Sequence, residues 1–364
     1  MNKILPVRFP FISSYPYYAN PLTILAATGN EYIPWMLNNF IQLSCHPENK
    51  ILKVDFFQEW ITWAPYSCPH LDVQFISKEI YEADRNIIDT LIYSINKGYY
   101  IQMKVNHKYL SFSNATWYKQ KDMAHELLVY GYDLNNKTLN VADNFGGKYE
   151  YKTCSFEEFL NSYRNTSCFN LDYYEKVMLY KPTPDQSIVI DPLKISDSFI
   201  DFLESRDTRN RDNRSVNWAN NIVLGINTYN KIHDYIMTCY ENHSHLDHRL
   251  LHVVWEHKKC MVARIELLQS IGIALQSPVL DMYKDLERVA LIYRNIIIKA
   301  IVTKNNSKLE NVAKGILSFI NTETNILNEL LEQIYFKYKN SDEISILGNS
   351  NNISRKWSLL SPIK

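Results

Sequence analysis

No stretch of this 364-residue chain stays apolar for the 18 or so residues that a membrane-spanning helix needs. The opening MNKILPVRFPFISSYPYY is interrupted by charge and proline where a secretory signal would run apolar, so a cytoplasmic, membrane-free protein is expected. Net charge is missing as well: 39 Lys and Arg balance 39 Asp and Glu, and nothing in that balance points to nucleic acid as a partner. Cysteine is sparse. Cys45, Cys68, Cys154, Cys168, Cys239 and Cys260 are scattered with no C-x-x-C pair, which argues against a disulfide framework or a zinc knuckle and leaves free thiols. Glycine is scarce too, at 9 against 26 tyrosines, a habit of composition that carries no functional message.

What is present is apolar content, 46% of the residues, enough for two domains with separate cores. In the first half, YYANPLTILAATGN reads as a helix with an early proline, EYIPWMLNNFIQL as a second, and ILKVDFFQEW as a strand or turn. Ile87, Ile88, Leu91, Ile92 and Ile95 have helical spacing closed by Gly98. YYIQMKVN alternates as a strand does, and residues 125–143 read as a hairpin turning at LNNK. Ser155 and Glu158 have capping-box spacing, and YYEKVMLYK supplies a further strand. The expected fold class is therefore α+β in this half.

Lys181–Ser187, with two prolines among polar residues, is the best linker, and beyond it the strand signal ends. Stripes at Ile222 to Tyr240, Val279 to Ile296 and Leu309 to Ile334, with Ser277 and Pro278 as a helix start, predict an all-α bundle. The expected division is 1–184, 185–340 and a tail at 341–364.

Chemistry concentrates in AHELLVYGYDLNNKTLNVADN, which puts His125 at the start of one strand and Asp143 at the end of the next. A turn centred on Asn135 and Asn136 pairs Asp143 with a residue near Leu128, so a bulge or twist must bring His125 into register. A carboxylate beside an imidazole fixes its tautomer and stabilises its charged form, as a general base requires. The plainer reading is a strand-end histidine and a turn-capping aspartate.

His125, Gly131, Tyr132, Asp133, Val141 and Asp143 resemble the H-x5-G-Y-D and V-x-D signature of papain-like C39 peptidases. More closely, residues 10–180 resemble the N-terminal domain of the butirosin biosynthesis protein H family, and DHRLLHVVWEHKKCMVARI resembles the helical half of its members. The amide synthetase of closthioamide assembly is of the same kind. The resemblance implies a papain-like fold and an antibiotic-pathway acyltransferase. Such an enzyme takes an acyl group from the phosphopantetheine thioester of an acyl or peptidyl carrier protein and gives it to an amine, without metal or other cofactor. It also implies a cysteine nucleophile at the start of the first core helix, where Ala19 stands instead. Three explanations are open: an engineered Cys→Ala change, a natural pseudoenzyme, or a nucleophile located elsewhere. The oxyanion-hole glutamine of papain-like enzymes is absent, Ser13 and Ser14 occupying its place.

Cys68 is the reserve nucleophile. Tyr18, His107, Trp117 and Tyr118 are the candidate substrate-lining residues, the last two in a polar loop whose aromatics either close over a substrate or plug the packing, and His107 has the plainer reading of a polar residue on a strand. His243, His245, His248, His252 and His257 crowd one segment. The rotation of a helix carries these side chains away from a common point, so a buried polar network with Asp247, Arg249 and Glu256 is expected there rather than a metal. A non-catalytic module binding an acylated carrier, and a cysteine peptidase, are the alternative functions.

Overall fold

The computed structural model describes residues 1–29, 31–47, 51–57, 68–83, 86–166, 176–183, 188–208, 221–244, 246–273 and 278–339. The expected tail at 341–364 lies outside them, as do Cys168, His245 and Ser277. The protein is a mixed α+β structure of two compact units, Met1–Met36 with Trp60–Val189 and Leu37–Glu59 with Ile190–Lys364.

The first unit is built on a seven-stranded antiparallel sheet. Its strands are β1 (Asn2–Ile4), β4 (Leu71–Ser77), β5 (Tyr100–Asn106), β6 (Ala124–Asp133), β7 (Thr138–Phe145), β8 (Lys148–Ser155) and β9 (Lys176–Pro182). They lie in the order β4-β9-β5-β6-β7-β8, and β1 adds to the far end of β6. The hairpin of β6 and β7 turns at Leu134–Lys137, where Asp133 accepts from the Asn135 and Asn136 amides and Lys137 takes a left-handed φ of 52°. Helices α1 (Pro16–Thr28), α3 (Lys78–Glu82), α4 (Ile87–Asn96) and α5 (Phe156–Arg164) complete the unit, α5 starting at the predicted Ser155–Glu158 capping box. Gly98, at φ 84°, follows the end of α4.

Which face each helix covers decides the site. Gln102, Leu128 and Ala142 are cross-strand partners and share a face. Asn20 of α1 donates to Gln102 Oε1 at 2.9 Å, Tyr149 donates to Asn20 Oδ1, and Thr23 meets Tyr151, the partner of Ala142. Helix α1 therefore lies on that face. On the other face, Asn96 of α4 accepts from Tyr132, whose strand partner Leu139 points the same way as Val141 and Asp143.

The second unit holds α6 (Pro192–Leu203), α7 (Thr228–Glu241), α8 (Arg249–Ser270), α9 (Val279–Thr303) and α10 (Leu309–Lys339). It is not all-α. A three-stranded sheet of β2 (Leu43–His46), β3 (Lys53–Phe56) and β10 (Val223–Leu224) belongs to it, and the boundary between the units falls inside α2 (Ile33–Asn39). Residues 37–59, expected in the first domain, are drawn to the second by buried polar groups. Arg264, fully buried, donates to the Leu37 and Phe40 carbonyls, and His257 donates to the Ile41 carbonyl at 2.8 Å. Gln42 donates to the Asp201 carbonyl, and the Asp191 amide to Asn38 Oδ1. A buried amide or carbonyl must find a partner, and these side chains supply it.

Candidate active site

The hairpin carries a β-bulge. Val129 is opposite Val141 while Gly131 is opposite Asn140, so Tyr130 is an extra residue. A strand's side chains alternate, so one extra residue moves everything before it to the other face. Leu128 then pairs with Ala142, and His125, three residues back, shares a face with Asp143. Without the bulge the two would stand on opposite sides of the sheet.

The result is a direct hydrogen bond, His125 Nδ1–H to Asp143 Oδ2 at 2.6 Å. Asp143 is fully buried, and the His125 side chain keeps 22% of its surface exposed. The imidazole thus has one nitrogen held from behind and an edge toward solvent. Strand β5 contributes a third group to the same point. Val105 is the partner of His125, and His107, just past the strand end, reaches Asp143 Oδ2 through Nε2 at 3.2 Å. His107 is fully buried against the Phe145 ring, with centroids 5.8 Å apart, and Phe112 packs edge-on against Phe145.

Charge follows from these contacts. Burial works against ionisation of His125, but the Asp143 carboxylate, as a charge and as an acceptor, outweighs it and raises the imidazole to about 9. Burial also opposes the Asp143 carboxylate, and here His125 and His107 prevail and hold it below the usual carboxylate range. His107, whose burial is only partly offset by Asp143, is lowered. At neutral pH the site is an imidazolium–carboxylate pair beside a neutral imidazole. Such an arrangement delivers a proton from His125 below about pH 9 and accepts one above it.

Trp117 lies at the site, its ring centroid 5.8 Å from both His107 and His125. Tyr118 does not join this ring cluster; Lys119 lies over its ring at 5.0 Å. Glu126, unforeseen in the sequence, adds negative charge, with Oε2 3.9 Å from His125 Nδ1 and an ion pair to Lys104 at 3.3 Å.

The expected nucleophile position is not brought to this point. Ala19 is the fourth residue of α1, fully buried, with its amide bonded to the Tyr15 carbonyl at 2.9 Å, on the helix that covers the opposite face. Tyr18, buried in the same helix and packed edge-on against Tyr17, is separated from His125 for the same reason. The helix is readable from its early proline, Pro21; the side of the sheet on which His125 stands relative to it depends on the bulge. Cys68 is buried, and burial pushes its thiol up to about 12, the reverse of an activated thiolate. Cys45 is raised to about 12 for the same cause.

Of the histidine-rich segment, His252 enters a polar chain, while Asp247 and Arg249 form a pair beside it in sequence. Arg294 donates to His252 Nδ1, His252 Nε2 lies 3.1 Å from Glu256 Oε1, and Arg249 pairs with Asp247 at 2.6 Å. Among the described residues, the group whose atoms are close enough to share a metal ion is His107, His125 and Asp143, all within 4.8 Å of one another. No helix among the described residues is long and apolar enough to cross a membrane. Compared with protein-family models and with curated proteins, the chain matches none.

Proposed function

We propose that this protein is an amide-forming acyltransferase, of papain-like ancestry, that works through the His125–Asp143 dyad. The observation that carries the reading is the 2.6 Å bond from a partly exposed imidazole to a fully buried carboxylate across two strands. That pairing also carries the sequence resemblance, since His125, Gly131, Tyr132, Asp133 and Asp143 are the residues that share the signature.

With Ala19 on the far face and Cys68 unactivated, the transfer we propose is direct. An amine attacks the carbonyl carbon of a carrier-protein thioester, and neutral His125 takes the amine proton as the C–N bond forms. The C–S bond then breaks, and His125 returns the proton to the departing thiolate, leaving an amide and a free carrier thiol. Asp143 orients the ring and stabilises its charge during transfer. Trp117, whose ring lies 5.8 Å from that of His125, limits water at the reacting carbonyl.

The test is incubation with a simple aryl thioester and a primary amine, following amide and free thiol together. Amide formation that falls at least about a hundredfold in His125→Ala supports the reading; equal rates in both chains overturn it. A second reading, a non-catalytic module that binds an acylated carrier, is favoured by the burial and raised pKa of Cys68 and by the place of Ala19. It predicts carrier binding with no turnover in either chain.

A further inference from the structure

A dyad needs two groups, yet this site has three. His107 is fully buried at the same Asp143 oxygen that His125 uses, and a neutral imidazole there adds little to the orientation of His125. Its two ring nitrogens and Asp143 Oδ1 are buried without a hydrogen-bond partner of good geometry. Of these, His107 Nε2 faces the Asp143 oxygen at which His125 is also held, and leaving it unsatisfied in an apolar setting is costly, so that point calls for an occupant. The Phe145 and Trp117 rings pack against His107, and Phe112 packs edge-on against Phe145, so the surroundings are largely apolar.

The donor set identifies that occupant by chemistry. Two imidazoles and one carboxylate are borderline nitrogen and hard oxygen ligands, a combination suited to zinc and its first-row neighbours. Bonds of about 2.0–2.1 Å in tetrahedral array put ligand atoms roughly 3.3 Å apart. The His107–Asp143 edge is 3.2 Å, and the His125–Asp143 edge of 2.6 Å must open slightly. The ligands come from β5, β6 and β7, neighbours in the sheet, so their spacing is set by hydrogen-bonded backbone. The exposed edge of His125 leaves a direction from which a fourth ligand can enter.

We propose that His107, His125 and Asp143 are the three protein ligands of a divalent transition-metal site of the zinc class, with one position open to water or substrate. A metal on His125 Nδ1 and Asp143 Oδ2 takes the place of the proton that joins them in the dyad, so the metal-bound form and the dyad are alternative occupancies of one site. Metal binding requires all three side chains, whereas the dyad requires two, and His107 separates them.

The experiment is a calorimetric titration of the full, metal-stripped chain with Zn2+, paired with the visible spectrum of the Co2+ form. One equivalent of Zn2+ is expected, with a tetrahedral Co2+ spectrum. His107→Phe and Asp143→Asn should each weaken Zn2+ by at least about tenfold, while His252→Ala, in the second unit, should leave it unchanged. Circular dichroism establishes that each variant folds; should His107→Phe fail, His125→Phe, at a partly exposed position, takes its place. Absence of stoichiometric Zn2+ binding overturns the proposal, as does binding that survives loss of His107 or His125. Neither result bears on whether the metal-free chain turns over thioester and amine.

Discussion

Tyr130 stands in β6 as the extra residue between His125 and the hairpin turn, and it is what gives His125 the same face of the sheet as Asp143. Deleting Tyr130 restores a simple register and turns His125 away from the carboxylate. The imidazole should then titrate near its ordinary value of 6.5 instead of about 9, read from its ring resonances across a pH series.

Asp143→Asn tests the same bond from the other side. The His125 titration should fall by at least about one unit, and unfolding in urea should show a loss of roughly 1–3 kcal/mol, the size of a buried charged hydrogen bond. A titration still near 9 would mean that Glu126 alone carries the shift.

Stability should follow pH with a definite sign. His125 has a folded pKa above its unfolded value of 6.5, so its contribution is complete below that value and is lost as pH rises through about 9. Asp143 is depressed below 3.8, so its contribution is present above that value and is lost in acid. His107 is lowered, so it favours the folded state above 6.5 and disfavours it below. The difference in urea midpoint between the unsubstituted chain and Asp143→Asn should shrink at pH 10 relative to pH 7.

If His125 is the base in acyl transfer, kcat should rise with pH and level off near 9. A profile flat from pH 6 to 9, with His125 still required, would place the proton elsewhere.

Gly131→Ala should destabilise by about 1–3 kcal/mol. A Cβ there meets Asn140 Oδ1 at 2.8 Å, the Lys3 carbonyl oxygen at 3.0 Å and Ile4 Cα at 3.1 Å. The side chain can swing away, but β1 is backbone and must shift. Thermal unfolding measures the effect, and a neutral result would mean that β1 detaches freely.

The parts of this fold that were legible in the sequence are local. The turn after Asp133, the capping box at Ser155 and the helices of the bundle announce themselves within a few residues. The need for a bulge or twist was legible too, from the misfit of His125 and Asp143 in a simple register, but its place was not, because Tyr130 has no composition that marks it as extra, and so the side of the sheet on which His125 stands relative to α1 and Ala19 was hidden with it. His107 was named as a pocket residue, but its place beside Asp143 follows only from knowing that Val105 pairs with His125. The membership of Leu37–Glu59 in the second unit was equally hidden, being fixed by donors more than 200 positions away: Arg264 and His257.

That distance governs how the chain can be made and cut. Translation releases Leu37 and Phe40 long before Arg264 exists, so their carbonyls wait on water until α8 emerges from the ribosome. A fragment beginning at Ile190 would carry a buried guanidinium with no carbonyls to receive it. Neither half of this protein, divided once at the proline-containing linker, inherits everything its own interior requires.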